Sequence, residues 1–373
     1  MKFVFLSLPT FEAWDWTNPD TAGIGGSETS HIEMSNRLSQ RGHEVYSYAP
    51  TPFTEPETNW AGVTWERCDN DPDLWGRPGV WVIYRDPEMV DGVEAGNPAW
   101  LICQDVNYPT LNEARANKFT RIVALCQEHG RYLKKKHPYA ASKICVSSNG
   151  IRPELRMYQE SNRNPHRLMY ASSPDRGLWY LVDIFLRARE IISDLELHVY
   201  YGFDNIEKWL SNPDTDASYF GAKRRELLAK LKSPGIFYYG RTPQSCLARA
   251  WSESAIWCHP SMFPETSCIT CMDAQAFGAI PVTTPVWAIA ENVQYGILIE
   301  GNPQRDEMTR ARFVLELVRL ASDPSRQEEI RKTMMPWAWR QFSWDNVVSQ
   351  WERWAEVDLG LASSEAAAML EVA

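Results

Sequence analysis

The chain lacks a hydrophobic stretch that could cross a membrane. No run in its 373 residues approaches the roughly 18 consecutive apolar residues that a membrane-spanning helix requires. The apolar start Met1–Leu8 is short, Pro9 ends it, and no clear cleavage site follows, so we interpret it as a buried first strand and not as a signal peptide. We therefore expect a cytoplasmic protein with no integral membrane segment.

The chain also has no excess of basic residues. Its 38 Lys and Arg residues stand against 48 Asp and Glu residues, which gives a formal net charge of −10. Because non-specific binding of nucleic acid depends on neutralising phosphates, this balance argues against a protein that wraps DNA or RNA. The concentrated basic run Arg131–His137 is typical of a solvated helix end.

Cysteines at the spacing of a disulfide framework are missing as well. The eight cysteines are scattered, and Cys268 and Cys271 form a CxxC pattern with His259 nearby. A structural metal site would need a second ligand pair at comparable spacing, and the sequence has none. Cysteines on the buried face of a helix behave as small hydrophobic residues. We therefore expect no metal site, no redox role and a reducing compartment.

The chain does have a regular alternation of short apolar runs and amphipathic stretches. This alternation predicts an α/β fold with parallel sheets, and the length suits two domains. Strands are expected at Lys2–Leu8, Glu44–Tyr48, Val80–Tyr84, Trp100–Cys103, Arg121–Leu125, Lys143–Ser147, Arg167–Tyr170, Glu196–Tyr200, Ile236–Tyr239, Ala255–Cys258 and Pro281–Thr283. Helices are expected at Ser27–Arg41, Leu178–Ile192 and Pro336–Glu356.

A polar, broken segment between Pro153 and Pro165 marks the predicted domain boundary. We expect an N-terminal domain over residues 1–160 and a C-terminal domain over residues 161–335, each doubly wound and Rossmann-like. A helical segment over residues 336–373 is expected to pack back on the N-terminal domain and to fray at its end. A ligand would then bind in a cleft between the two domains.

The most informative segment runs from Pro264 to Val282. It has the pattern of a loop that feeds a helix, with Glu265 before the first turn and Asp273 eight positions later. Eight helical residues rise roughly 12 Å at about 1.5 Å each, about the reach from the sugar to the ribose of a nucleotide sugar. Free N–H groups between the two acids would bind an anion such as a diphosphate.

A glycine-rich loop precedes the first predicted helix. Gly25 and Gly26 would let a ligand approach the backbone closely at a helix N-terminus. Gly23 and Gly25 match the first two glycines of a dinucleotide fingerprint, but its third glycine would fall where the chain has Glu28, which argues against a dehydrogenase. The alternative is a tight turn in which Ser27 caps the helix.

Three further strand ends carry candidate residues. Arg176 could reach a diphosphate or could be an exposed loop arginine. Arg241, after Gly240, is a weaker candidate for contact with a phosphate or a base. Asp105 could orient an acceptor hydroxyl or accept its proton, or it could be a turn or cap residue.

Together these motifs resemble the retaining GT-B glycosyltransferases of the family-4 type. The matching segments follow the family's order over most of the chain: Gly25–Glu28, Val123–Glu128, Asn149–Ile151, Ser172–Leu178 and Pro260–Val282. The resemblance implies two Rossmann-like domains facing a central cleft. It also implies a nucleotide-sugar donor, by default a UDP-sugar, held mainly by the second domain without a metal or other cofactor.

The resemblance further implies roles for single residues. Glu265 and Asp273 match an acid pair that contacts the donor sugar and the ribose, although the second acid is usually a glutamate. Arg176 matches one cation of a usual basic pair, and Gln104 stands where a histidine is common. Donor binding by Ser173, Gly240 and Arg241, and charge stabilisation by the backbone of Thr266 and Ser267, complete the expected site.

The predicted function is the transfer of a hexose or related sugar from a nucleotide donor to a hydroxyl acceptor with retention. By resemblance, attack occurs on the face that the diphosphate leaves, and the acceptor proton passes to the leaving phosphate. Two alternatives stay open: an epimerase-like enzyme of the same shape, and a non-catalytic nucleotide-sugar-binding protein. The acceptor class also stays open among glycans, small molecules, proteins and a modified nucleic-acid base.

Overall fold

The computed structural model describes residues 1–7, 12–69, 71, 73–159, 162–211 and 217–362. These residues fall into two compact units. The first comprises Met1–Asn18, Ile24–Gly150 and the chain from Phe342 onward, and the second comprises Pro19–Gly23 and Ile151–Gln341. Three predictions lie wholly or mostly outside the described residues: the end of the first strand at Leu8, the boundary between residues 160 and 161, and the expected fraying of residues 359–373, of which only 359–362 are described.

The strands are numbered along the chain. They are β1 (Lys2–Ser7), β2 (Glu44–Tyr48), β3 (Glu57–Thr58), β4 (Thr64–Glu66), β5 (Val80–Tyr84), β6 (Ala99–Ile102), β7 (Arg121–Ala124), β8 (Ile144–Val146), β9 (Asn164–Tyr170), β10 (Glu196–Tyr200), β11 (Ile236–Gly240), β12 (Ser254–His259), β13 (Ile280–Thr283) and β14 (Ile297–Leu298).

The helices are numbered in the same way. They are α1 (Asn18–Thr21), α2 (Gly26–Gln40), α3 (Glu113–Lys118), α4 (Gln127–Lys136), α5 (Leu178–Arg189), α6 (Asp204–Ser211), α7 (Ala217–Lys230), α8 (Gln244–Glu253), α9 (Ile269–Phe277), α10 (Ala288–Asn292), α11 (Glu307–Ala321), α12 (Pro324–Gln341) and α13 (Trp344–Asp358).

The first unit contains an eight-stranded sheet in the order β3-β4-β2-β1-β5-β6-β7-β8. Its strand pairs are parallel, except that β3 and β4 are antiparallel. The central strands β5 and β6 are buried at every position, as expected for parallel strands covered on both faces. The edge strand β3 and its neighbour β4 were not predicted because they are only two and three residues long.

The second unit contains a six-stranded sheet in the order β11-β10-β9-β12-β13-β14, and its strand pairs are parallel. The predicted α/β alternation is therefore confirmed in both units. In a parallel sheet the carboxyl ends of all strands lie at one edge. The loops after β9 and β12, which are neighbours in the order, consequently lie side by side.

The predicted helix Pro336–Glu356 is wrong as one element. Pro336 lies inside α12, which ends at Gln341 in the second unit. A new helix, α13, follows because the side chain of Ser343 accepts a hydrogen bond from the N–H of Asp345 and caps it. Within the first unit, Trp351 of α13 packs against the Trp100 ring, with centroids 5.6 Å apart.

Two of the predictions concern helices: the solvated end formed by the basic run, and the lack of a membrane-spanning segment. α4 ends in three exposed lysines, Lys134 to Lys136, which confirms the solvated helix end expected for the basic run. Lysines at this end also interact favourably with the helix dipole. None of the helices in the described ranges combines the length and the apolar character needed to span a bilayer.

Candidate functional site

The candidate site in the second unit is formed by the loops that follow β9 and β12. After β9 the chain makes a short 3-10 turn, Pro174–Arg176, before α5 begins. Gly177 has a φ of +114°, and a Cβ atom there would lie 2.5 Å from the carbonyl oxygen of Pro260. A glycine is needed for this close approach of the two loops. The approach brings Arg176 beside Glu265.

Arg176 is held by an aromatic ring and two carboxylates. Its guanidinium carbon lies 3.0 Å from the centroid of the Phe263 ring, a cation–π contact. Nε lies 3.7 Å from Oε1 of Glu265, and Nη1 lies 3.4 Å from Oδ2 of Asp175. Nη1 is buried, yet it has no hydrogen bond to any residue that the structure describes. The contacts fix the cation and leave one donor for a ligand.

Glu265 lies in the loop between β12 and α9, with 18% of its side chain exposed. Burial raises the pKa of its carboxyl group, the positive charge of Arg176 opposes that rise, and Asp175 adds to it. The Glu265 carbonyl oxygen accepts a hydrogen bond of 3.1 Å from the N–H of Ala288. Its backbone is thereby fixed at the start of the segment that the sequence singled out.

The helix after Glu265 begins later than predicted. α9 starts at Ile269, and its N-cap residue Cys268 has φ +61° and ψ 69°, a left-handed conformation that cannot extend the helix backwards. The expected helical rise of roughly 12 Å between the two acids therefore does not apply. Only Asp273 lies on the helix.

Thr266 and Ser267 form the end of the loop, and both are buried. The Ser267 carbonyl oxygen accepts a hydrogen bond of 2.6 Å from Nδ2 of Asn292. The Ser267 hydroxyl is buried and has no hydrogen-bond partner within the described ranges. Since the first turn of a helix also leaves N–H groups without intrahelical partners, uncommitted donors are concentrated at this point.

Asp273 is a partly buried acid whose carboxyl group makes no hydrogen bond in the part of the chain that the structure describes. Burial raises its pKa to about 7, and the charge of Arg152 opposes the rise. At neutral pH the carboxyl group is therefore divided between its two protonation states. A carboxylate with open acceptor positions suits a ligand that offers hydroxyl groups.

Arg152 is a residue that the sequence analysis missed. It donates hydrogen bonds to both carboxylate oxygens of Asp20, at 2.8 and 3.2 Å, and one to Oε1 of Gln244 at 3.1 Å. Asp20 belongs to the short segment Pro19–Gly23, which is part of the second unit although it precedes the first unit's glycine loop. The partner of Arg152 lies 132 residues away in sequence, so no local pattern could have indicated the pair.

The other residues predicted to bind the nucleotide-sugar donor in the second unit lie at the ends of β9 and β11. Ser173 is buried and its hydroxyl donates to the carboxylate of Asp175, which connects it to Arg176. Gly240 ends β11 with a φ of +70°, and its carbonyl oxygen accepts a hydrogen bond of 2.8 Å from Tyr201. Arg241 follows at the end of the same strand, two positions from β9 in the sheet order.

The glycine loop lies in the first unit. α2 begins at Gly26 with Gly25 as its N-cap, and no side chain caps it. The alternative in which Ser27 caps the helix is therefore wrong. Ser27 lies within the first turn, and its hydroxyl is 3.4 Å from Nη1 of Arg85.

Arg85, which the sequence did not indicate, contacts Asp105 and Glu28 in the first unit. It follows β5 with a φ of +69°, which is uncommon for a residue with a side chain. Nε and Nη2 donate to the two carboxylate oxygens of Asp105, both at 2.8 Å. Nη1 lies 3.7 Å from Oε1 of Glu28. Asp105, which was predicted as a site residue, thus forms a bidentate ion pair with Arg85.

A buried histidine lies behind Asp105. Burial lowers the pKa of His129 to about 4, and a hydrogen bond to the backbone of Asp105 partly opposes this. The imidazole is therefore neutral at physiological pH. Gln104, which precedes Asp105, is only partly buried. The signal for His129 is its position directly after the matching segment Val123–Glu128.

His259, close to the CxxC pattern in sequence, is stacked against the Trp257 ring with centroids 4.9 Å apart. Burial lowers its pKa to about 3, and Arg176 contributes in the same direction. In the ranges that the structure describes, no three His, Cys, Asp or Glu side chains are grouped as metal ligands would be.

No protein-family model and no curated protein matches the chain. Several solved structures match the chain. Sucrose-phosphate synthase from Thermosynechococcus elongatus matches with a TM-score of 0.70 at 12% identity, over 97% of this chain and 100% of that one. Anabaena HepE, in complex with UDP-glucose, matches with 0.64 at 13% identity, over 94% and 98%. WaaG, a glycosyltransferase involved in lipopolysaccharide biosynthesis, matches with 0.63 at 13% identity, over 96% and 100%.

At identities this low the likeness concerns the fold. The two parallel-sheet domains are those of the GT-B glycosyltransferases, which confirms the fold class expected from the sequence. A shared GT-B fold does not by itself determine a reaction, since function depends on the residues of the site.

Proposed function

We propose that the chain is a retaining glycosyltransferase of the family-4 type that transfers a hexosyl group from a UDP-sugar to a hydroxyl acceptor without a metal ion. The observation that carries the proposal is the position of Arg176. Its cation is fixed beside Glu265, and its buried Nη1 has no hydrogen-bond partner among the described residues.

A diphosphate is the anion that suits this arrangement. The guanidinium group is a permanent cation whose flat donor geometry matches phosphate oxygens. The buried Ser267 hydroxyl and the first turn of α9 add donors at the same loop end. Such fixed donors stabilise the charge that develops on a departing nucleoside diphosphate.

Glu265 and Asp273 would bind the other two parts of the donor, the transferred sugar and the ribose. Glu265 is held beside Arg176, where it can accept hydrogen bonds from the hydroxyl groups of the transferred sugar. Asp273 has no hydrogen bond from the described residues and lies four residues into α9, where we assign it to the ribose. HepE, with the same fold, is known in complex with UDP-glucose, which supports uridine as the base.

In the proposed reaction the bond between the anomeric carbon and the diphosphate oxygen breaks while the acceptor oxygen bonds to that carbon on the same face. The acceptor proton passes to an oxygen of the leaving diphosphate. Arg176 stabilises that oxygen as it gains charge. Asp105 has the role of orienting the acceptor hydroxyl, because Arg85 holds both of its carboxylate oxygens in a fixed position.

The test is a donor panel in which release of nucleoside diphosphate is measured with simple hydroxyl acceptors. We expect release from a UDP-hexose, and Glu265→Ala should reduce turnover at least tenfold, which corresponds to about 1.4 kcal/mol of transition-state stabilisation. Glu300→Gln, at an exposed position of the same unit, is the matched control and should leave the rate unchanged. Wild-type turnover by Glu265→Ala would contradict the site, and release from no donor would contradict the function.

A further inference from the structure

Two cysteines stand at the start of α9, within the loop assigned above to the donor. Cys268 is the N-cap residue, and Cys271 is the third residue of the helix. The N–H of Cys271 donates to the carbonyl oxygen of Cys268 at 3.0 Å. A turn closed in this way keeps the two Cα atoms within about 7 Å, and disulfides join Cα atoms about 4.4–6.8 Å apart. The Cα atoms of Cys268 and Cys271 are therefore already close enough for a disulfide.

The two thiols differ in exposure as an attacking and a resolving cysteine do. Cys268 is partly exposed, and its Sγ lies 3.6 Å from Oγ1 of Thr270. Cys271 is fully buried, and its Sγ accepts a hydrogen bond of 3.6 Å from Nε2 of Gln275. Burial and the adjacent Cys268 thiol both raise the pKa of Cys271. A small disulfide from solution would therefore meet Cys268 first, because Cys271 is not accessible.

The backbone of Cys268 supports a role for its side chain. A left-handed conformation costs roughly 1–2 kcal/mol for a residue with a Cβ atom, and glycine would adopt it freely. The described chain has glycine at most of its positive φ positions, but here it has a thiol. A strained backbone of this kind at a residue with a reactive side chain is typical of functional positions.

We propose that Cys268 and Cys271 form a reversible disulfide when the protein meets a low-molecular-weight disulfide such as oxidised glutathione. The Cys268 thiolate attacks one glutathione sulfur, and the glutathione disulfide bond breaks with departure of one glutathione thiolate. Cys271 then loses its proton to solvent and attacks Sγ of Cys268, which releases the second glutathione. The protein loses two hydrogens, and the two glutathione sulfurs are reduced.

Oxidation would alter the donor loop, a consequence that rests on the function proposed above. Sγ of Cys268 must leave Thr270, whose hydroxyl lies 3.1 Å from Oγ of Ser172 in the loop after β9. Sγ of Cys271 must leave Gln275. Thr266 and Ser267 directly precede the new ring. We therefore assign the disulfide the effect of weakening UDP binding at least threefold.

The experiment treats the reduced protein with oxidised glutathione and follows it by intact mass and by titration of free thiols. Cys246→Ser removes the exposed cysteine of α8 and is the matched control. We expect wild type and Cys246→Ser to lose two hydrogens and two thiols, and dithiothreitol to restore both. Cys268→Ser and Cys271→Ser should not form the internal disulfide, and Cys271→Ser should stop at the glutathione adduct on Cys268.

Persistent glutathione adducts without loss of two hydrogens in Cys246→Ser would overturn the proposal, as would an internal disulfide that survives in Cys271→Ser. UDP affinity is then measured on the reduced and oxidised forms of Cys246→Ser. Equal affinities would overturn the effect on the donor loop. A reduced protein that binds no UDP would instead count against the proposed function, while the mass measurement would still decide whether the disulfide forms.

Discussion

The two units differ in how far their charged candidate residues are paired with other side chains. In the first unit, both carboxylate oxygens of Asp105 are engaged by Arg85, and Glu28 lies 3.7 Å from the same guanidinium group. In the second unit, Arg176 has acids nearby but keeps a buried nitrogen without a hydrogen bond in the described ranges, and Asp273 has none from any described residue. The charges of Arg85 and Asp105 are therefore paired with each other, whereas Arg176 and Asp273 keep hydrogen-bonding positions that a ligand could fill.

This difference separates structural charge pairs from ligand sites. A buried polar atom without a partner costs roughly 1–3 kcal/mol unless something supplies the missing hydrogen bond. A folded protein keeps such atoms where a ligand completes them, and unexplained ones therefore indicate function. Arg176 and Asp273, the two open charged candidates, both lie in the second unit, which is why the donor is assigned there.

The largest expected effect follows from removing the open cation. Arg176→Ala should lower turnover about a hundredfold, or about 2.7 kcal/mol, because the departing diphosphate loses its fixed positive charge. The measurement is kcat and KM for the donor by release of nucleoside diphosphate. Arg187→Ala in α5 is the matched control, since Arg187 is 42% exposed and pairs with Glu307 at the surface. Equal losses in both variants would mean that Arg176 has no special role.

A second, smaller effect concerns stability and its dependence on pH. The pKa of Asp273 is raised from 3.8 to about 7 by burial, so the folded state holds a proton that the unfolded chain releases in this interval. The free energy of unfolding should therefore fall as pH rises from about 4 to about 7. Asp273→Asn should remove this contribution and make the protein more stable than wild type at pH 8 by about 1 kcal/mol.

The measurement for Asp273→Asn is urea unfolding at several pH values, with Glu300→Gln as the exposed control. Wild type and Asp273→Asn should have similar free energies of unfolding near pH 4, where Asp273 is protonated in the folded state. An Asp273→Asn variant that is less stable than wild type at pH 8 would show that the carboxylate has a stabilising partner. The contrast between the two units would then fail.

The sequence predicted the elements far better than it predicted the charge pairs. β2, β5 and β10 have the predicted bounds, because buried parallel strands are short apolar runs between polar segments. The start of α9 was misplaced, since the left-handed conformation of Cys268 has no sequence signal in a residue other than glycine. Arg85 and Arg152 were missed because their partners are 20 and 132 residues away.

The smallest expected effect concerns the closed pair of the first unit. Asp105→Asn should destabilise the protein by about 0.5–1 kcal/mol, because Arg85 and Asp105 are 34% and 44% exposed and water weakens their attraction. Asp273→Asn, by contrast, should stabilise it at pH 8, and this opposite sign sharpens the comparison between the units. In a double-mutant cycle with Arg85→Ala, the coupling should match the loss in the single variant. A coupling near zero would show that Arg85 does not hold Asp105 in solution, and Asp105 would then be free to accept the proton of the acceptor hydroxyl.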